Sequence, residues 1–331
     1  MRFLGLLSAI LAFGASSAYA DTFSSGEFDE YSANVEMGQR LFNAAACGSC
    51  HGTKGKIYDP ALPELGGGVE IDNHVYGRIR VPNISGDKAE GIGSWSRSEF
   101  LNAMIYGVSP SGGNYIPIHP FEFYAGMKPE HVVDIFEYIK AELPESGRES
   151  EAHERPISLR RVFGFSNPVS YRFDPEQVRK DRQVAGLGED PSNSALWGEY
   201  LVEHVAACGS CHTARDGSFN LLKGGEFQAT LSALGNNDPI GLTVTEKGIA
   251  PLIPDRNEFE HKFINQGLRL DGSSKMQGSM AHVAASLALL PVDDKAAIHQ
   301  YLKDLPVPQP YESKDSCESP MMIVQQDIDF V

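Results

Sequence analysis

The chain has 331 residues, with 28 Lys+Arg against 44 Asp+Glu and a formal charge of -16. So acidic a balance argues against nucleic acid and against anionic membrane surfaces as partners. The length suffices for two domains of about 100–150 residues each, and past the first residues no stretch approaches the roughly 20 apolar residues of a membrane helix.

Residues 1–20 read as an export signal. Arg2 supplies the positive start, residues 3–13 an apolar run, and Ala18-Tyr19-Ala20 a small-x-small cleavage site. That run is too short to span a bilayer. Asp21 is then the mature N-terminus, and loss of Arg2 leaves the chain one unit more negative. No cysteine follows the cut, so lipidation is not expected, and a bacterial periplasm is the expected destination.

A first unit is expected over 21–145. Its apolar periodicity over 35–46 predicts an amphipathic helix leading into CGSCH at 47–51. A second helix is predicted over 130–143 and is stopped by Pro144. The charged, proline-bearing stretch 146–193 reads as a linker, with a short structured piece around 160–165. The pattern then repeats over 194–306: a lead-in helix at 196–207, CGSCH at 208–212, and a last helix at 293–305 stopped by Pro306. Gly38 and Gly198 stand at matching places in the two lead-ins, and YIKAELP parallels YLKDLP. A repeat on this scale sets the architecture. Residues 307–331 read as a surface tail.

Both motifs have the form C-x-x-C-H, the attachment signature of haem c. Two thiols, Cys47 and Cys50 or Cys208 and Cys211, add to the two vinyl groups of one porphyrin. The histidine that follows, His51 or His212, is the proximal iron ligand. A zinc site would need a further Cys or His pair beside each motif, and none is present. A thioredoxin-type pair would sit in a βαβ setting, which the sequence lacks. Regions between motif and last helix are rich in Gly, Pro, Asn and Asp, with few strand signals. The expected fold is therefore mainly α, with two tandem cytochrome c-type domains. Each would be wrapped around one covalent haem c, whose apolar bulk lets a small domain carry long loops.

The chain resembles the dihaem and multihaem cytochrome c subunits of periplasmic alcohol, gluconate and related sugar or aldehyde dehydrogenases. The resemblance rests on VPNIS at 81–85, GIGSWS at 91–96 and EFLNAMIYGVSP at 99–110. It continues with FDP at 173–175, WGEYLVEHVAACGSCHTARD at 197–216, KGGEF at 223–227 and GSMAHVA at 278–284. It implies an electron-transfer subunit, with a periplasmic dehydrogenase as donor and a respiratory cytochrome or oxidase as acceptor. The chain departs from the pattern twice: family members commonly carry three haem motifs, and a methionine expected in the first domain is replaced.

That replacement concerns the sixth iron ligands. Where the family has a segment ending Met-Pro-Tyr, this chain has IPIHPF, which puts His119 in the methionine's place. In the second domain Met280 fits the family's ligand segment, with Met276 and His282 nearby. His119 follows His51 by 68 residues, and Met280 follows His212 by the same 68. The competing readings are a surface His119, with Met127 on the iron or the site left open, and Met280 as core filler. Two imidazoles favour ferric iron more than imidazole plus thioether, so the first haem is expected at the lower potential. Trp95, Asn83 and Arg97 are secondary candidates for contacts with haem or its propionates. The remaining histidines read as surface or internally satisfied residues.

The rival function is a dihaem oxidoreductase of peroxidase or thiosulfate dehydrogenase type. A peroxidase needs a releasable distal face, which a firm His119 opposes. The thiosulfate enzyme needs a thiolate on iron, and only Cys317, in the acidic tail, is spare. An odd cysteine in an exported chain otherwise implies a free thiol or an intermolecular bridge.

Overall fold

The computed structural model describes residues 22–73, 76–154, 194–213, 221, 227, 249–270 and 272–306. The export signal, most of the expected linker, the tail with Cys317, His74 and most of KGGEF lie outside the described residues. Within them the chain is mainly helical, with one two-stranded antiparallel ladder.

Helix α1 (Val35–Ala45) begins where Asn34 Oδ1 accepts the Met37 amide, satisfying one of the free N–H groups of the first turn. It ends on Ala46 in the left-handed region, φ 49°. The short α2 (Gly48–His51) follows and holds the first motif. Strands β1 (Glu70–Asn73) and β2 (Gly77–Arg80) pair Ile71 with Ile79. Helix α3 (Arg97–Leu101) opens with a capping box between Ser96 and Glu99 and runs on as a π-helical stretch, Asn102–Tyr106. Helix α4 (Phe121–Tyr124) is a single turn, and α5 (Pro129–Glu142) starts with proline at its first position, where no N–H is needed.

In the second half, α6 (Ser194–Tyr200) widens into a π-helical turn, Leu201–Val205. Ala207 then takes φ 48° ahead of α7 (Cys208–His212), repeating Ala46 ahead of α2. Gly38 precedes Cys47 by nine residues and Gly198 precedes Cys208 by ten. The wide turn absorbs the extra residue, and both motifs leave an alanine with the same backbone twist. Helix α8 (Arg256–Glu258) continues as a π-helical stretch, Phe259–Asn265, and α9 (Gly278–Ala288) and α10 (Val292–Asp304) complete the described chain.

Two helix crossings organise the core. Helix α1 packs on α5, and α6 packs on α10. Residues Val132, Ile135, Phe136 and Ile139, spaced along one face of α5, are at most 1% exposed. At each crossing a glycine brings the backbones together: a Cβ on Gly38 would overlap the Asp134 carbonyl, and one on Gly198 the Ala297 carbonyl. The buried residues form one continuous cluster that runs through both halves. The start of the expected linker belongs to the first half. Glu154 bridges to Arg78 of β2, and Arg80 bonds the Ala152 carbonyl.

The halves are joined by a buried polar centre. Arg40 of α1 forms a two-point ion pair with Asp294, which is fully buried in the first turn of α10. Trp197 of α6 donates from Nε1 to the same carboxylate at 2.6 Å, and its ring lies 4.9 Å under the Arg40 guanidinium. Beside it the Tyr200 hydroxyl accepts the Lys128 amide and bonds His131 Nδ1 at 2.7 Å.

Burial, with smaller effects of Lys128 and Arg40, lowers the His131 pKa from 6.5 to about 4. The unfolded chain therefore takes up a proton that the folded chain refuses. The stability contributed by neutral His131 is complete above pH 6.5 and is lost as the pH falls towards 4. The slope is at most about 1.4 kcal/mol per pH unit. His131→Phe is expected to flatten this part of the stability curve, as followed by urea unfolding at a series of pH values. An unchanged slope would remove His131 as its source.

Candidate functional site

The first motif is set by its surroundings more than by its own turn. Gly67, at φ 66°, lets the backbone pass so close to residues 81 and 82 that a Cβ there would strike both carbonyls. The Gly67 amide meets the His51 carbonyl at 2.9 Å, and the Pro82 carbonyl lies 2.9 Å from His51 Nδ1. With Nδ1–H donated to that carbonyl, Nε2 keeps its lone pair, the state a metal-ligating imidazole requires. Burial lowers the His51 pKa and the Pro82 bond partly opposes it, so the ring is held neutral.

His119 is brought to the same place from the loop before α4. Its ring is caged by Tyr115 at 5.3 Å, Tyr124 at 5.7 Å and Phe121 at 6.3 Å between centroids. Burial and then the neighbouring His51 ring push its pKa down to about 3, against the Ala103 carbonyl. Although the residue keeps partial exposure, its Nε2 is shut off from solvent and has no hydrogen-bond partner. A buried, unbonded imidazole nitrogen is costly unless it serves as a ligand. Met127, the alternative ligand, is 2% exposed and packed in the core cluster.

In the second motif His212 is buried, and burial lowers its pKa to about 4. Its Nδ1 has no partner among the described residues. Met280 lies in the first turn of α9 and is partly exposed. The four motif cysteines form no disulfide. Burial pushes the Cys47 and Cys208 thiols up to about 12. Among the described residues no cluster of three or more His, Cys, Asp or Glu could hold a bare metal ion. A thiol pair and a following imidazole in each motif, with the unbonded buried Nε2 of His119 near His51, are the groups that haem c uses.

The motifs are close together. Tyr124 feels Cys47, Cys50 and Cys211 at once, and these, after burial, keep its hydroxyl well above its ordinary pKa. The Phe123 ring lies where a side chain on Gly209 of the second motif would sit, and the Tyr58 ring does the same at Gly48 of the first. Pro82, Tyr58, Phe123 and Tyr124 carried no site signal in the sequence; only the VPNIS segment touched one of them.

The secondary candidates are occupied elsewhere. Asn83 Nδ2 donates to the Ser146 and Arg148 carbonyls, and Arg97 holds Glu137 and the carbonyls of Phe28 and Tyr31. Trp95 is partly buried against the core. His131, His204 and His299 are internally bonded, as expected.

This site and helical frame define a c-type cytochrome domain, and residues 35–141 match the cytochrome c family. The chain is 29% identical over 283 residues to a dihaem cytochrome c-type protein of Cereibacter sphaeroides, covering 82% of this chain and 86% of that one. It is 28% identical to the gluconate 2-dehydrogenase cytochrome c subunit of Pantoea cypripedii, over 82% of this chain and 59% of the subunit. The alcohol dehydrogenase (quinone) cytochrome c subunit of Gluconacetobacter polyoxogenes is 27% identical, over 91% of this chain and 62% of its own length. The chain carries a cytochrome c domain, a module of electron transfer, and over most of its length it is similar to dihaem cytochrome c and to dehydrogenase cytochrome c subunits. It spans about three fifths of the two dehydrogenase subunits. Among the described residues no helix is long and apolar enough to cross a membrane.

Proposed function

We propose that the chain is a periplasmic dihaem cytochrome c that relays electrons from a dehydrogenase to a respiratory cytochrome or oxidase. In this reading two tandem domains each hold one haem c: Cys47 and Cys50 with His51 and His119 in the first, Cys208 and Cys211 with His212 and Met280 in the second. The observation that carries it is the buried, unbonded Nε2 of His119 beside a His51 ring already anchored through Nδ1. The repeated glycine-mediated helix crossing supports the tandem arrangement.

Bound haem supplies one-electron exchange at its iron. The protein's part is to fix the ligands and exclude water. Pro82 orients His51, the aromatic cage of Tyr115, Phe121 and Tyr124 holds His119, and the continuous core shields both motifs. A histidine pair at the first site and a histidine–methionine pair at the second place the first at the lower potential. Donor docking is therefore assigned to the first domain and discharge to the second. The acidic charge fits a basic redox partner.

The intact mass of the exported protein is expected to exceed that of the processed chain by two haems. Oxidised protein should show the weak red-end band of methionine on ferric iron at the strength of one centre. Met280→Ala should abolish that band and His119→Ala should leave it. A single haem, or a band lost with His119, would overturn the assignment. A high-spin ferric population in the parent would favour the dihaem oxidoreductase.

A further inference from the structure

Each candidate sixth ligand sits on a segment fastened to the opposite half of the molecule. Four residues after His119, the Phe123 ring covers Gly209 of the second motif, and its carbonyl faces His204 Nδ1 at 3.1 Å. Gly126, at the end of the same turn, lies flat against the His204 ring. His204 belongs to the lead-in helix of the second motif and is 2% exposed.

The converse holds for α9, which carries Met280 and packs on α2. The Tyr58 hydroxyl meets Ser286 Oγ at 2.6 Å, and its ring lies 4.6 Å from that of His282. The His282 ring also bonds the backbone of Ser49, inside the first CGSCH. Residues two apart on a helix point about 200° apart. Met280 therefore leaves α9 on the side away from the first motif, while His282 grips that motif.

We propose that the ligand side of each centre is positioned by the other half, with His204 as the positioning residue for His119 and Tyr58 as that for Met280. This rests on the ligand assignment proposed above. Neither residue touches the iron. Each holds the far end of a ligand-bearing segment against the neighbouring CGSCH, so ligation at one centre reports on how the halves are docked.

The test uses full-length holoprotein and reads spectra. Tyr58→Ala, in the first half, is expected to remove the larger part of the methionine–iron band of the second centre and to leave the bis-histidine signature. His204→Ala, in the second half, should raise a high-spin signal at the first centre and leave the methionine band. Tyr58→Phe, which keeps the ring and loses the bond to Ser286, should give an intermediate loss. His204→Asn, which restores a donor towards the Phe123 carbonyl, should recover the first centre. These two conservative variants decide the matter if the alanine variants do not fold. Changes confined to each variant's own half, equal changes at both centres, or no change would overturn the proposal. Fewer than two haems by mass, or a band that survives Met280→Ala, would instead overturn the underlying ligand assignment.

Discussion

Asp294→Ala is expected to lower the unfolding free energy by about 1–3 kcal/mol, the cost of leaving a buried donor unpaired, since the Arg40 side chain left behind keeps 32% exposure and can be hydrated. Asp294 is fully buried, takes both contacts from Arg40, and accepts the Trp197 Nε1–H at 2.6 Å. Its removal leaves the guanidinium and the indole N–H without their acceptor and strips a negative charge from the first turn of α10, where the helix dipole favours it. The double change has a different outcome. Arg40→Met with Asp294→Leu removes both charges at once and should recover much of the loss, since buried pairs replaced by apolar residues are often near neutral. Recovery should be incomplete, because the Trp197 N–H still lacks a partner. Urea titrations of the parent, both single variants and the double variant measure the coupling. Losses that simply add would show that the pair contributes nothing specific.

The second large effect is opposite in sign to what helix propensity predicts. Alanine is a better helix former than glycine by about 1 kcal/mol, so an exposed Gly→Ala would stabilise α1. At Gly38 the added methyl would overlap the Asp134 carbonyl, a backbone atom that cannot rotate away. The two helices must separate, and overpacking of this kind costs about 1–3 kcal/mol or more. Gly38→Ala should therefore lower the melting temperature, and Gly198→Ala should do the same through the Ala297 carbonyl. Gly147 supplies the control. Nothing lies within 4 Å of its would-be Cβ, and alanine there should be neutral or stabilising by about 0.4–1 kcal/mol. A stabilised Gly38→Ala would mean that the crossing is loose.

The helices could be read from the sequence because local signals mark them. The periodicity of 35–46 and 130–143 and the stops at Pro144 and Pro306 place α1, α5 and α10 within a residue or two of where they lie. The two C-x-x-C-H motifs were legible for the same reason, since their spacing is a local signal. His119 required the family resemblance, because a lone histidine in a proline-rich loop has no local signature. The joint between the halves was not legible. Tyr58 meets Ser286 across 228 residues, and Arg40 meets Asp294 across 254. No periodicity encodes such a meeting. The Pro82 carbonyl was invisible for another reason: a backbone acceptor does not depend on which side chain stands above it. Residues 146–154 read as linker by charge and proline content, yet pairing with β2 and bonds to Asn83 tie them to the first half.

The widened turn at Leu201–Val205 bears on how the halves of such a protein can diverge. An inserted residue in an ordinary helix rotates everything after it by about 100°. Here the insertion is held as a local swelling, and the phase of the cysteines downstream is unchanged. The lead-in thus behaves as an adjustable spacer: single residues can be gained or lost upstream of a CGSCH while the thiols keep their bearing. Two copies of one unit can then drift in length while each CGSCH keeps its place against its own helix crossing.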